Sequence, residues 1–560
     1  MERHGPLRPL LITLVALVLL WLVGGPAAHL AVGSLRDDGV VPARWSLVGW
    51  ASFLTGSPAA REALANSLLL ALGSVVLAAL IGVPLGFLFA RCDFPGRNWL
   101  AALATVPVLL PPLVGTLAFY FLYAPSGVVT RLVQAALGLD SPPWRFRGMG
   151  AVLAIHAYSF YPYFYTFVSA GLQRLDESRP EAAATLGASR ARVLATVALP
   201  LLTPALAGAA LLTFMMSMAS FTAPYVIGGV RVLTTQLLEA RQLPSQALMR
   251  VETLVLAGIC VLFLALLRRV EGRGRYHGGV KGGTARRRVA DRGWQRLALG
   301  AAGALAVVLM LLPHAMLLLL SFADAAAWTT QVLPPRYSLA AWRWLATDPE
   351  GRLPLVNSFT MAVGATAANL AFALPAAWLF GRDAFRGRRA LESLALLPYA
   401  VPGTVIGLTL AEWFSARQPW LGRLVLINTW AILPLAYFVR SLPLTLRAVQ
   451  ASLAQVDPSL EEAAATLGAS PGRRLRTIVA PLVAPGLVVG GSLAFVAAMG
   501  EFVASVVLYT PANRPVAIEI WNQLRGAYFA RACGYGVLLV LVIALVLALA
   551  RGTATEAAGR

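Results

Sequence analysis

The chain has 560 residues, of which 58% are hydrophobic and only 13% charged, against roughly 45–50% and about 25% in soluble globular proteins. So few charges cannot cover a water-soluble protein of this length, and the apolar residues run in blocks longer than core helices, which makes this an integral membrane protein. Lys and Arg total 46 against 25 acids, a formal charge of +21; in a soluble chain that would point to nucleic acid, but here it asks which side of a bilayer the charges occupy.

A hydrocarbon core about 30 Å thick needs roughly 20 apolar residues per helix. Candidate spans fall near 9–32, 63–90, 99–123, 148–172, 199–228 and 251–267, then near 297–322, 354–380, 391–414, 424–446, 481–510 and 533–550. The expectation is an all-α membrane protein of about twelve spans. Arg3 and Arg8 ahead of the first block would also suit a signal peptide, but its apolar run is long and Pro26-Ala27-Ala28 is a poor cleavage site, so it reads as a retained span. With the N-terminus inside, inner segments hold 28 basic residues and outer ones 17, with Arg440 left within a span. That bias places both termini on the cytoplasmic face. The segment 268–296 carries ten basic residues and seven glycines, and reads as a flexible linker rather than a nucleic-acid or lipid-binding arm. Cys92, Cys260 and Cys533 lie far apart, which argues against a disulfide framework or a structural metal site.

The chain repeats itself. Glu181-Ala-Ala-Ala-Thr-Leu-Gly187-Ala-Ser189 recurs as Glu462-Ala-Ala-Ala-Thr-Leu-Gly468-Ala-Ser470, an offset of 281, and Pro200 and Pro204 meet Pro481 and Pro485 at the same offset. Upstream the offset is 291: Asn66-Ser67 meets Asn357-Ser358, Pro84 meets Pro375, and Arg91 meets Arg382. Units of six spans re-enter the bilayer with unchanged orientation, so the halves are parallel repeats. The expected units are 1–269, a linker over 270–296, and 297–560.

The nine-residue motif lies on the inner side between the fourth and fifth spans of each half. Ser178 with Glu181, and Ser459 with Glu462, fit a capping box. An Ala-rich turn follows, Gly187 and Gly468 suit a left-handed helix stop, and Ser189 and Ser470 suit the cap of the next helix. One copy would be a tidy turn; two alike copies on one side read as a docking surface for a two-fold partner. The pattern Glu-Ala-Ala-x-x-x-Gly with a downstream Leu199-Pro200 or Ala480-Pro481 resembles the coupling motif of type I binding-protein-dependent ABC importer permeases, here as two fused permease domains. Alanine in place of leucine before the second proline departs slightly from the usual pattern.

That resemblance implies that Glu181, Ala182, Ala183 and Gly187 form one coupling helix and Glu462, Ala463, Ala464 and Gly468 the other. It also implies two copies of a cytoplasmic ATP-binding subunit, an external or periplasmic solute-binding protein, residence in a bacterial inner membrane, and no nucleic-acid partner. The chain has no Gly-Lys-Ser/Thr phosphate loop, since its one lysine, Lys281, sits between Val280 and Gly282. No cofactor of its own is expected; ATP belongs to the partner, and the chain is a transport subunit rather than an enzyme. An ion-driven secondary transporter would explain twelve spans but not paired coupling motifs, and no nucleophile, metal or paired-acid constellation supports a membrane enzyme.

Fused permeases of this kind resemble those for ferric iron, thiamine, polyamines or aminoethylphosphonate. Gly500-Glu501-Phe502-Val503-Ala504 resembles a segment of iron, sulfate and molybdate permeases, and Thr510–Pro515 fits the iron-like group. The resemblance favours Fe(III). An acid inside a span is costly, so Glu501 either borders the solute path or makes a structural hydrogen bond. Phe221, its neighbour's counterpart in the first half, is a second path candidate. Tyr161, in the run Tyr158–Tyr165, either lines a path or belongs to packing. Glu412 and Arg440 lie nearer span ends and are expected to snorkel, while Pro162 and Pro443 are expected to bend the fourth and tenth spans.

Overall fold

The computed structural model describes residues 7–39, 44–173, 182–183, 185–275, 288–289, 293–324, 328, 331–415 and 424–558. Nine of its helices are long and apolar enough to cross a bilayer: Arg8–Gly33, Pro58–Arg91, Pro112–Ala136, Ala195–Met218, Ala247–Val270, Gly293–Ser321, Pro349–Arg382, Ile432–Leu453 and Phe529–Ala550. Two bent pairs, Arg388–Ala400 with Gly403–Trp413 and Pro471–Leu482 with Ala484–Met499, bring the number to 11. Gly148–Gln173 lies at the fourth expected span, and its 26 residues reach about 39 Å, but His156 and four tyrosines make it more polar than these helices.

Four spans differ from their expected form. The third is broken into Arg97–Leu103, a 3-10 turn at Val106–Leu109 and Pro112–Tyr123, and the ninth turns through 115°. The physical reason is proline: Pro107, Pro111 and Pro112, and in the ninth span Pro402, remove backbone donors and block the preceding turn. The fifth and eleventh end at Met218 and Met499, about ten residues before their apolar runs do. The apolar residues beyond form short pieces, Thr222–Ile227 and Ser505–Leu508. Pro162 and Pro443 lie inside continuous helices. The sixth helix runs to Arg275, into the expected linker, most of which lies outside the described residues.

The repeat holds at the level of hydrogen bonds. Asn66 donates to the Arg231 carbonyl at 3.0 Å, and Asn357 to the Arg514 carbonyl at 3.1 Å. Ser67 accepts from the Leu233 N–H and Ser358 from the Val516 N–H, both at 2.8 Å. Each Asn-Ser pair pins the first turn of a short helix, Leu233–Ala240 or Val516–Arg525. Wide π-turns also recur at the same offset, Leu194–Ala198 and Leu475–Val479, where Pro200 and Pro481 forbid ordinary α spacing.

Lipid supplies no hydrophobic drive between helices, so small residues and close backbone approach hold the bundle. Gly82 and Gly86 of the second span face the fourth, Gly82 against the Tyr161 carbonyl and Phe164, Gly86 against Val168. The second half uses Ala373 and Ala377, both fully buried, at the matching places. A Cβ at Gly82 would sit 2.4 Å from the Tyr161 oxygen, whereas one at Gly364 meets nothing within 4 Å. Gly82→Val is therefore expected to cost about 1–3 kcal/mol or more and to remove the monodisperse peak in detergent gel filtration. Gly364→Val is expected to leave that peak unchanged.

Candidate functional site

Two places stand out, one near each end of the fifth and eleventh spans. At the first, Pro458–Thr466 forms a short helix. Its cap is Asp457, which accepts from the Ser459 N–H at 2.9 Å, so Ser459 is not the cap as expected. The reason is Pro458: it occupies the first helical position and shifts the cap one residue upstream. Hydrogen bonds from Ser459 hold the Asp457 carboxyl below the usual carboxylate range. The helix stops at Gly468, φ +81°, and the first hairpin at Gly187, φ +84°. A Cβ at either glycine would meet nothing within 4 Å, so the left-handed backbone alone requires glycine. The Ala188 N–H donates to the Ala183 carbonyl at 3.1 Å and the Ala469 N–H to the Ala464 carbonyl at 2.9 Å, closing the same stop twice. Ser189 and Ser470 cap the helices that follow, accepting from Arg192 and Arg473.

Glu462, Ala182 and Ala463 are exposed, and Ala183 and Ala464 half-buried; Glu181 and Ser178 lie outside the described residues. Leu186 and Leu467, one before each glycine, are 88% and 89% exposed. Two leucines at matching hairpin tips, standing clear of the spans, form a paired apolar surface on a protein whose own packing does not cover it. Glu461, unremarked in the sequence, is buried: it accepts from the Trp378 indole at 2.8 Å and from Arg382 Nε at 3.0 Å. Arg382 also donates to the Val456 carbonyl at 2.5 Å. The second hairpin is thereby tied to the inner end of the eighth span. The duplicated Arg91 and Arg382 were the available signal, but offset 281 places Pro180 opposite Glu461, so the repeat hid the acid.

At the far ends of the fifth and eleventh spans, the segments after Met218 and Met499 meet between the halves. The Phe221 and Phe502 rings lie 6.0 Å apart, and Phe221 stacks on Tyr225 at 4.7 Å. Both phenylalanines are buried. Beside them is a cavity of about 240 Å³, lined from the first half by Val108, Pro111 and Thr222 and from the second by Arg440, Glu501 and Phe502. Glu501 is 5% exposed and pairs with Arg440 Nε. Its other oxygen accepts from the Ala504 N–H at 2.9 Å. A buried carboxylate requires such satisfaction of both oxygens. Arg440 does not snorkel, and neither does Glu412, which is paired with Arg250 at 3.0 Å. Arg250 also reaches Asp38 at 3.0 Å, so the pair joins the two halves.

Tyr161 stands elsewhere. It is fully buried, and its hydroxyl donates to the Ala104 carbonyl at 2.7 Å. The Tyr165 hydroxyl reaches Ala101, and that of Tyr158 reaches Met310 of the seventh span at 2.9 Å. This stripe satisfies carbonyls beside the third-span break and packs the halves together. Among the described residues, no group of three His, Cys, Asp or Glu side chains converges as a metal cage.

The description "Binding-protein-dependent transport system inner membrane component" matches this chain twice, over residues 82–276 and 373–554. The probable ABC transporter permease protein y4fN of Sinorhizobium fredii is 30% identical over 89% of this chain and 88% of its own length. The ferric transport system permease protein FbpB of Actinobacillus pleuropneumoniae is 28% identical over 79% of this chain, which spans 64% of that protein. The molybdenum transport system permease protein ModB of Escherichia coli is 32% identical over 39% of this chain and 100% of its own length. The two matched stretches take in both hairpins and both central segments. The chain belongs to the family of binding-protein-dependent transport system inner membrane components, the permease subunits of ABC importers.

Proposed function

We propose that the two hairpins are coupling helices, each received by one copy of a cytoplasmic ATP-hydrolysing subunit, and that both chain termini lie on that same face. Glu181, Ala182, Ala183 and Gly187 serve the first contact, and Glu462, Ala463, Ala464 and Gly468 the second. The observation that carries this reading is the pair of matching stops at Gly187 and Gly468, with Leu186 and Leu467 exposed beside them. Small residues allow a partner's groove close approach, and the leucines supply the apolar anchors. ATP is used by the partner, and the permease needs no cofactor. A periplasmic solute-binding protein delivers the solute to the opposite face. The central cavity, with Phe221 and Phe502 closing it and Glu501 at its wall, is the translocation route.

Kinship with ferric permeases supports Fe(III) as the solute. One observation favours a second reading: Arg440 presents a third of its side chain beside the cavity, and a guanidinium suits an oxyanion. Uptake of radiolabelled iron, sulfate and molybdate by cells expressing the chain with its binding protein and ATPase subunit separates the two. Iron uptake that is lost on deletion supports the first reading, and its absence with oxyanion uptake establishes the second.

Docking and transmission predict different phenotypes. Leu186→Asp with Leu467→Asp is expected to abolish co-purification of the ATPase subunit while leaving the permease monodisperse; retained co-purification sinks the docking assignment. Glu461→Ala is expected to leave association intact, because Glu461 faces inward. Losing this tether to Arg382 costs about 3 kcal/mol, read as ATPase activity no longer stimulated by the binding protein.

A further inference from the structure

The two central segments are equivalent in sequence position but are held differently. In the first half Ser220, the counterpart of Glu501 at offset 281, lies 2.8 Å from Nε2 of His156. Nδ1 of that histidine lies 2.9 Å from Ser74 and 3.1 Å from Ser217. This anchor is neutral hydroxyl and imidazole throughout. In the second half the counterpart of His156 is Tyr437, whose hydroxyl lies 2.7 Å from Ser505, and Ser505 donates to the Glu501 carbonyl at 2.6 Å. To that neutral link the second half adds the Arg440–Glu501 ion pair; offset 281 places only Ser159 at the position of Arg440.

We infer that Arg440 and Glu501 form a latch, a pair of positioning residues that holds the second-half segment Gly500–Ala504 closed over the cavity. The inference rests on the importer reading and concerns how its gate is kept shut. Three features carry it. Glu501 spans both sides of its own segment, taking the Ala504 N–H with one carboxylate oxygen and Arg440 with the other, so loss of the pair leaves the segment held to the tenth span only through the hydroxyl link of Tyr437 and Ser505. The guanidinium is wedged at the ninth-span break, where a Cβ at Gly403 would meet it 2.9 Å from its central carbon. One contact therefore joins the gate segment, the tenth span and the broken ninth. Finally, Gly500 packs on Pro111 of the first half, whose Cβ would lie 3.2 Å from an added methyl, so a released segment moves away from the facing half and opens the cavity. Burial of Glu501 shields the pair on its acid side, while a third of the Arg440 side chain is exposed.

The test uses the full chain in vesicles, with Cys92, Cys260 and Cys533 replaced by alanine and one reporter, Ala497→Cys, at the cavity wall. A membrane-impermeant maleimide is applied from the face opposite the hairpins. Glu501→Gln, which keeps an acceptor for the Ala504 N–H, and Arg440→Gln are each expected to speed labelling about tenfold, the scale of one charged hydrogen bond. The double variant is expected to match either single, because one contact is lost in all three, and Arg440→Lys to label more slowly than Arg440→Gln. Unchanged labelling in the single variants, or a double variant near the product of the two, overturns the latch. Labelling needs no partner subunit, so its failure leaves the docking assignment standing, while persistent ATPase association in the hairpin variants overturns docking and leaves the labelling result intact.

Discussion

Every interruption of a helix inside a bilayer strands backbone donors and acceptors where no water can reach them, so the protein itself must satisfy them. This chain interrupts four of its spans, and at three of the interruptions a buried or half-buried polar side chain meets a freed backbone group. Tyr161 covers the Ala104 carbonyl at the third-span break. Thr234 donates to the Ser220 carbonyl at 2.7 Å after the fifth span ends. Glu501 takes the Ala504 N–H, and Ser505 the Glu501 carbonyl, after the eleventh. Where the breaks of opposite halves approach, helices cannot close-pack, and the cavity lies at that point. Cavity, buried acid and buried aromatics are consequences of one constraint.

Duplication explains what is symmetric and makes the remainder informative. Glycine stops, π-turns and Asn-Ser clamps recur because each half must build the same hairpin and the same helix end. Departures concentrate where a residue no longer serves its own half. Arg250 binds Glu412 across the halves, Tyr158 binds Met310 across them, and the Arg241 guanidinium donates to the Val507 carbonyl at 3.3 Å. A fused pair of domains can specialise such contacts separately, which two copies of one subunit cannot.

What was readable from sequence follows the range of the interaction involved. Eleven of the twelve apolar blocks, the two left-handed glycines and the Ser470 cap depend on neighbours within a few residues, and they appear among the described residues. Hydropathy counts residues without direction, so it joined the pieces on either side of Pro111 and Pro402 into single spans and carried the fifth and eleventh past Met218 and Met499. Glu412 and Arg440 read as snorkelling because their partners, Arg250 and Glu501, lie 162 and 61 positions away. Glu461 was hidden for the same reason, its partner Arg382 being 79 positions upstream. Prolines carried more information than a bend: Pro162 and Pro443 sit in unbroken helices, while the clustered prolines of the third span mark a true break.

One polypeptide run contains both the second hairpin and the segment after Met499, so no long chain of side-chain contacts is needed to link them. From Ser470 the chain passes through the π-turn at Leu475–Val479 and a 75° bend into Ala484–Met499, and emerges directly as Gly500-Glu501-Phe502. Sixteen helical residues span about 24 Å as a stiff rod. On the docking proposed above, a partner that moves the hairpin moves one end of a rod whose other end carries Phe502. The bend and the π-turn lie between hairpin and rod, and within the rod Gly486 and Gly490 let it lie directly on the tenth span at Ser452 and Thr445. Arg440 stands on that same tenth span. The Arg440–Glu501 contact therefore joins the same two spans that Gly486 and Gly490 bring together.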